Sequence, residues 1–352
     1  MKKTLVLTVD PQEPDLQKIR IAAGFIRKGG LVAFPTETVY GLGANALDAQ
    51  AVLDVFEAKK RPLDNPPIVH ICDANDACIL AKEIPSKAGV LMKRFWPGPL
   101  TLIFKRSSVV PDVTVADLDT IAIRMPKHNV ALALIKESGC PIAAPSANLA
   151  GKPSPTLAKH VLDDLGGRID AVLDGGPTRI GVESTVLDLT VDPPQVLRPG
   201  GIPYEELVKA LGTVELNPVV VADHALPVER ARSPGVKHKH YAPNADMVLV
   251  EGEVRAVVSK VSELIDSYRA QGKKVGVLGT DETVDHYEAD VVKTLGSRSD
   301  LTVVAKNLFG LLREFDAEDV DVIVAEGVPA EGLGLAIMNR LRKASGYKIV
   351  KV

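Results

Sequence analysis

The chain has 352 residues, of which 46% are apolar, and its formal net charge is −3. This length favours two or three domains with buried cores, and the near-neutral charge excludes a protein-wide basic field, so any anion site must be a local cluster. The three cysteines (Cys72, Cys78 and Cys140) form no CxxC pair, which favours a reducing cytoplasmic setting and argues against zinc.

Residues 1–213 alternate strand and helix patterns and predict a mixed α/β domain without a clean Rossmann alternation. The first segment, MKKTLVLTVDP, is expected to be a strand rather than a signal peptide, because its apolar run is brief. No apolar run reaches the length of a membrane span, so no membrane partner is expected. Helical spacing marks LQKIRIAAGFIR, AVLDVFEAKK and PYEELVKAL as helices. Predicted strands are LVAF, PIVHI, LTLIF, TIAIR, PIAAPS, AVLD, STVLDL and QVLR.

Residues 214–245 are rich in Pro and Val and are predicted to be a linker. Its last part, SPGVKHKHYAPNA, places four potential cations and Tyr241 between Pro234 and Pro243. From residue 246 to 352 the pattern becomes a regular β/α alternation, which predicts a second, smaller Rossmann-like domain. The interpretation of the basic stretch depends on the motifs that precede it.

The segment FPTETVYGLGANA, residues 34–46, is expected to run from a strand into a glycine-rich loop. Glycines there would let backbone N–H groups approach a ligand, and the hydroxyls would add short donors. The segment is neither GxGxxG nor a Walker loop, and a tight structural turn is the alternative.

The next segment, KKRPLDNPPIVH, puts Lys59 and Arg61 at the end of a helix, followed by Asn65 and His70. Two cations at the start of a proline-stiffened loop could grip a polyphosphate. A solvated helix terminus, with cations favoured by the helix dipole, is the alternative. His70 could equally be a core histidine whose hydrogen bonds are satisfied.

The loop APSANLAGKPSPT holds Ser146, Asn148 and Ser154, small polar side chains that suit a phosphate or oxyanion. The alternative is a turn in which Ser154 or Thr156 caps the next helix.

Arginines on apolar strands need an anionic partner or ligand, and Arg124 in DTIAIRMP is such a residue. GVESTVLDL and VLRPGGI place Ser184, Thr185 and Arg198 at strand ends in the same way. The sequence contains no Ser-His-Asp triad, HExxH motif or clear carboxylate pair.

Six segments occur in order between residues 34 and 200: PTETVYGLG, KKRPLDNPPIVH, DTIAIRMP, PSANLAGKPSPT, VESTV and LRPG. Together they resemble the YrdC-like family of threonylcarbamoyl-adenylate synthases, in its long two-domain form. SPGVKHKHYAP is similar to the linker of that form, and AIMNRLRKAS to its extra domain.

The resemblance implies a twisted mixed α/β catalytic domain and a reaction of L-threonine, bicarbonate (or CO₂) and ATP. The products would be threonylcarbamoyl-adenylate and pyrophosphate, and a separate machinery would transfer the threonylcarbamoyl group to tRNA. Mg²⁺ is expected with ATP, held mostly by phosphates and water, with no protein ligand assigned.

The resemblance also implies a role for each motif. A catalytic cluster around the phosphates and the bicarbonate-derived group would contain Lys59, Arg61, Ser146 and Asn148. Threonine would be bound by Thr38, His70, Arg124 and Ser184. ATP would be bound by Arg61, Asn65, Thr120, Ala144 (through its backbone), Ser146, Ser154, Arg198 and Tyr241.

The linker is then interpreted as a lid over ATP, with Tyr241 touching the nucleotide and water excluded from a labile carbamate. A basic surface connector is the alternative. Two other functions stay open: an RNA- or ribosome-binding protein without turnover, and a second domain that docks the downstream tRNA-modifying machinery.

Overall fold

The computed structural model describes residues 3–226 and 240–352. Within these, the chain divides into two compact units: residues 3–150 and 154–220 form the first, and residues 151–153, 221–226 and 240–352 the second. None of the helices in the described ranges combines the length and apolarity needed to span a bilayer.

The first unit contains strands and helices in irregular alternation. In chain order they are β1 (Leu5–Thr8), α1 (Leu16–Arg27), β2 (Val32–Phe34), β3 (Gly41–Asn45), α2 (Ala49–Lys59), β4 (Val69–His70), α3 (Ala77–Leu80), α4 (Ser86–Phe95), β5 (Leu100–Lys105), β6 (Thr120–Arg124), α5 (Asn129–Ser138), β7 (Ile142–Ala143), α6 (Ala158–Leu165), β8 (Ala171–Asp174), β9 (Thr185–Asp188), β10 (Gln195–Arg198), α7 (Tyr204–Leu211), β11 (Glu215–Leu216) and α8 (Pro218–Val221).

These strands form one mixed sheet of 11 strands in the order β1-β8-β2-β3-β7-β4-β6-β5-β9-β10-β11. Parallel pairs such as β4–β6 alternate with antiparallel pairs such as β5–β6 and β4–β7. The mixed α/β class is therefore confirmed. The neighbouring positions of β4 and β6 matter for the site, because they place His70 opposite Arg124.

Helix α1 shows how the local sequence produces these elements. The Asp15 side chain caps its N-terminus by accepting from the Gln17 backbone N–H at 2.8 Å. The helix buries one face, composed of Ile19, Ala22, Ala23 and Ile26, which is the i, i+3, i+4, i+7 spacing of a core-facing stripe. Gly29 follows with a φ of +78° and accommodates the turn that leaves the helix.

The glycine-rich segment differs from expectation, because residues 41–45 form β3 and pair antiparallel with β2. A Cβ on Gly43 would lie 2.7 Å from the Ile142 side chain and 2.8 Å from the Phe34 ring. Gly43 is thus required for close packing between strands. The predicted loop was wrong over these residues. A glycine that is needed for close packing between strands cannot be told from a loop glycine by its sequence.

The second unit is a five-stranded sheet in the order β14-β13-β15-β12-β16, with every described pair parallel. Its elements are β12 (Asp246–Glu251), α9 (Val254–Ala270), β13 (Val275–Gly279), β14 (Val291–Thr294), α10 (Leu301–Glu318), β15 (Val322–Glu326), α11 (Gly334–Ala344) and β16 (Ile349–Lys351). Of the predicted linker at 214–245, residues 215–221 contain β11 and α8, while residues 227–239 lie outside the described chain.

Candidate active site

Lys59 is the last residue of α2, and its side chain is 1% exposed. The Lys59 ammonium donates to the backbone carbonyls of Ser146 and Asn148. The Lys59 carbonyl accepts from the Ala150 N–H at 2.9 Å. A solvated helix terminus is therefore wrong for Lys59, which instead fixes the loop that carries Ser146 and Asn148.

The turn after α2 is organised by Arg61 and Asn65. The half-buried Arg61 donates through Nε to the Asn65 carbonyl at 3.0 Å. The Asn65 side chain is 2% exposed, and within the described ranges its Oδ1 atom has no hydrogen-bond partner. A buried amide oxygen without a donor is costly unless a ligand or a water molecule supplies one.

The loop after β7 runs beside the glycine-rich segment. Ala147 N–H donates to the Tyr40 carbonyl at 2.8 Å, and Ser146 forms an isolated bridge with Gly41. The Ala144 N–H donates to the Ile68 carbonyl at 2.9 Å. The half-buried Ser146 and the buried Ala144 are thereby held beside the strand that ends at His70.

Of the residues predicted to bind threonine, Thr38 contacts the guanidinium of Arg124, which is buried. Its NH1 donates to the Thr38 hydroxyl at 3.0 Å, its Nε donates to the Gly98 carbonyl at 3.2 Å, and its NH2 lies 2.7 Å from a Glu37 carboxylate oxygen. The expectation that a buried strand arginine has an anionic partner is met by Glu37.

His70 lies opposite Arg124 on the neighbouring parallel strand. Its Nδ1 lies 3.2 Å from the Ile68 carbonyl. Burial, assisted by the Arg124 charge, lowers the pKa of His70 to about 3. The imidazole is therefore neutral at physiological pH and can only hydrogen-bond a ligand without a charge change.

Arg198 and Ser184, predicted for ATP and threonine respectively, are in direct contact. The Arg198 guanidinium donates to the Ser184 carbonyl at 3.1 and 3.0 Å and to its hydroxyl at 3.1 Å. The Ser184 hydroxyl also lies 2.7 Å from that of Thr101. These contacts connect the two predicted substrate regions.

Ser154 is buried and donates to a Glu183 carboxylate oxygen at 2.6 Å. Helix α6 begins at Ala158 with Leu157 at its N-cap, so the alternative of Ser154 or Thr156 as a helix cap is wrong. Gly200 permits this arrangement, because a Cβ there would lie 2.3 Å from the Glu183 carbonyl oxygen.

Two residues that were predicted to bind ATP, Thr120 and Tyr241, take no part in the contacts described above. Thr120 is buried at the start of β6, on the same strand face as Arg124. Tyr241 belongs to the second unit, where its ring is 4% exposed and stacks on Phe309 at 5.2 Å. The Arg340 guanidinium lies 5.4 Å from the Tyr241 ring centroid. Lys237, His238 and Lys239 lie outside the described residues.

Sequence reasoning missed Glu37 and Glu183 as partners of the predicted site residues Arg124 and Ser154. Both are buried acids inside motifs that had been singled out for their hydroxyls. The signal for Glu37 was available, because an arginine on an apolar strand requires an anion and PTETVYG contains one carboxylate.

The match to known proteins covers both units. The family model for the Sua5, YciO and YrdC proteins, described as "Telomere recombination", matches residues 24–200. A crystal structure of Escherichia coli YciO, 27% identical, covers 57% of this chain and 96% of its own with a TM-score of 0.51. The first unit is thus a YrdC-like domain. A second model, described as "Threonylcarbamoyl-AMP synthase, C-terminal domain", matches residues 202–346.

Full-length relatives narrow the class. Threonylcarbamoyl-AMP synthase of Pyrococcus abyssi is 57% identical over 95% of this chain and 96% of its own length, and that of Bacillus subtilis is 50% identical over 99% of each. A crystal structure of P. abyssi Sua5 complexed with L-threonine matches with a TM-score of 0.95 and 56% identity, covering 99% of this chain and 100% of the other. This chain belongs to the two-domain threonylcarbamoyl-AMP synthase family.

Proposed function

We propose that this chain is a nucleotidyltransferase that condenses L-threonine, bicarbonate and ATP to threonylcarbamoyl-AMP and pyrophosphate. One observation carries the proposal. A chain that matches relatives of that name over both domains also buries Lys59 at the end of α2, His70 and Arg124 on the neighbouring strands β4 and β6, and Ser184 directly before β9. Buried charged and polar groups of this number are retained where they bind a ligand.

The threonine side is assigned to Thr38, His70, Arg124 and Ser184. The Arg124 guanidinium already contacts Gly98, Thr38 and Glu37, but NH1 and NH2 each carry two hydrogens. Each can therefore donate a further hydrogen bond to the substrate carboxylate. Neutral His70 and the Thr38 and Ser184 hydroxyls would complete the polar contacts to threonine.

The ATP side is assigned to Arg61, Asn65, Thr120, Ala144, Ser146, Ser154, Arg198 and Tyr241. In the proposed reaction, a carbamate oxygen attacks the α-phosphorus and pyrophosphate leaves, so no covalent enzyme intermediate is needed. The chain's task is to align the reactants and to neutralise charge on the phosphates. Lys59 supports this by holding the 146–148 backbone in place.

Magnesium is proposed to accompany the triphosphate. Across residues 3–226 and 240–352, no group of three His, Cys, Asp or Glu side chains is placed to hold a metal ion. An Mg²⁺ ion that accompanies ATP is ligated mainly by phosphate oxygens and water and needs no such group. When bound, the ion would neutralise part of the triphosphate charge.

The product would pass to the tRNA threonylcarbamoyl-transfer machinery in the cytoplasm. The decisive experiment measures pyrophosphate release with ATP and Mg²⁺, omitting threonine or bicarbonate in turn. Release that needs both substrates supports the proposal. Release without threonine, or salt-sensitive RNA retention with no turnover at all, would instead favour a different activity or the RNA-binding alternative.

A further inference from the structure

Glu37 is 2% exposed and lies three residues after the end of β2. Its backbone is fixed, because the Glu37 carbonyl accepts from the Ile180 N–H at 2.8 Å and the Thr38 carbonyl from the Gly181 N–H at 3.1 Å. The position of this carboxylate is therefore imposed by the fold.

The hydrogen-bonding capacity of Glu37 is nevertheless unused in the described structure. Oε2 lies 2.7 Å from Arg124 NH2, but this ion pair lacks hydrogen-bond alignment, and neither carboxylate oxygen has a hydrogen-bond donor among residues 3–226 and 240–352. A buried carboxylate is expected to accept two or three hydrogen bonds. A ligand carrying N–H donors would satisfy it.

A counter-ion for Arg124 is the simpler role for Glu37. That role would favour a bidentate arrangement, because a guanidinium and a carboxylate interact most strongly when two parallel hydrogen bonds join them. Here the guanidinium aligns its other nitrogens on Thr38 and Gly98 instead. The result is a cation and an anion side by side, each with donors or acceptors to spare. An α-amino acid zwitterion has the complementary pair of charges, because its ammonium and its carboxylate are both bonded to the α-carbon.

We propose that Glu37 binds the α-ammonium group of the amino-acid substrate and accepts one of its protons, while Arg124 binds the α-carboxylate. This inference rests on the proposed function. An ammonium group is not nucleophilic until it loses a proton, so a carboxylate in contact with it has a chemical role as well as a binding role.

The proposed step balances with bicarbonate as co-substrate. The ammonium N–H bond breaks and its proton moves to Glu37, leaving a free amine and a carboxylic acid. The amine lone pair then forms a C–N bond with the bicarbonate carbon, one C–O bond breaks, and water leaves with the bicarbonate hydrogen and a second amine hydrogen. The products are the threonine carbamate, water and protonated Glu37, which returns its proton to solvent.

The test compares two ligands by calorimetry: L-threonine, and 3-hydroxybutyrate of matching configuration, which keeps the carboxylate and the side-chain hydroxyl but replaces the ammonium by a hydrogen atom. Glu37→Gln should weaken threonine binding by about 10- to 100-fold, the range for losing a hydrogen bond to a charged group. The affinity for 3-hydroxybutyrate should stay within about twofold, because this ligand has no donor for Glu37 at the α position and its carboxylate still meets Arg124.

An equal loss for both ligands would overturn the proposal and leave Glu37 as a residue that only orients Arg124. An unchanged threonine affinity would overturn it as well. Glu57→Gln, which neutralises an exposed acid on α2, is the matched control and should change neither affinity. Glu37→Asp keeps the charge and should retain the preference for threonine over the hydroxy acid, even if Glu37→Gln folds poorly.

The proton-accepting role has its own readout. At saturating threonine, Glu37→Gln should still release pyrophosphate more slowly than the wild type, so both kcat and KM change. A raised KM with unchanged kcat contradicts proton acceptance. Failure of the proposed function looks different, because then the wild-type chain itself shows no threonine-dependent pyrophosphate release.

Discussion

Glu37 in the first unit and Glu326 in the second are both buried carboxylates, with exposures of 2% and 0%. Glu326, at the end of β15, is surrounded by donors. It accepts from the Thr283 hydroxyl at 2.7 Å and the Thr280 hydroxyl at 3.2 Å, and it also accepts from the Tyr287 hydroxyl. Burial and the neighbouring Glu326 charge raise the pKa of Tyr287, which keeps that donor protonated.

Glu37 forms an ion pair with Arg124 but has no aligned donor among the described residues. The difference separates two uses of a buried charge. A carboxylate whose lone pairs are filled by its own domain stabilises that domain, whereas one left with unused lone pairs is available to a ligand. In this sense Glu37 is an open polar site and Glu326 is a closed one.

Among the changes proposed here, substitution of Tyr241 in the second unit should have the largest effect. Tyr241→Ala removes a buried ring stacked on Phe309 and should lower the free energy of unfolding of the second unit by about 3–5 kcal/mol in urea denaturation. Tyr241→Phe keeps the ring and should cost less stability than Tyr241→Ala. If Tyr241→Ala instead leaves stability unchanged and raises KM for ATP, the ring serves the nucleotide, as the lid hypothesis predicts.

Substitution of Lys59 tests the predicted catalytic cluster in the first unit. Lys59→Ala removes the donor to the Ser146 and Asn148 carbonyls and should lower kcat/KM for pyrophosphate release about 10²–10³-fold. The neighbouring Lys60 is exposed and left-handed, with a φ of 52°. Lys60→Asn tolerates that backbone and is the control. Wild-type rates for Lys59→Ala would remove Lys59 from the catalytic cluster.

Glu326→Gln tests whether the closed network is purely structural. The change removes one charged acceptor from the Thr280, Thr283 and Tyr287 hydroxyls and should cost about 2 kcal/mol of unfolding free energy. The affinity for threonine, measured by calorimetry, should not change. A loss of threonine affinity at constant stability would contradict the division into open and closed sites.

His70 should give the smallest effect, and it depends on pH. Its folded pKa of about 3 lies below the ordinary value of 6.5, so between these values the unfolded chain binds more protons. The free energy of unfolding should therefore fall as pH drops, by about 1.4 kcal/mol from pH 7.5 to 5.5 for this group. Relative to the wild type, His70→Gln should lose that part of the pH dependence. Equal slopes in both proteins would show that His70 is not held neutral.

Much of the fold followed from the sequence, because its signals are local. The helical spacing in α1 and the β/α alternation after residue 246 correspond to observed elements. The helices α4, α5 and α6 were not predicted. Each is only 8 to 10 residues long, so the periodic signal is short.

The site was predicted motif by motif, but its contacts were not. That Lys59 would hold backbone carbonyls nearly ninety positions away (residues 146 and 148), or that Ser154 would bond Glu183, depends on long-range packing. Glu37 was not predicted as a site residue, because its motif was interpreted from its glycines and hydroxyl groups. Two of those glycines, Gly41 and Gly43, lie in a strand.

The pairing of β4 with β6 has a consequence for how the sequence can change. His70 and Arg124 occupy facing positions on these strands, and side chains alternate between the two faces of a sheet. Inserting or deleting one residue within either strand would turn its polar side chain to the opposite face, while longer insertions in surface loops would leave both in place. Length variation among natural or engineered versions of this chain should therefore be confined to the connections and absent from these two short strands.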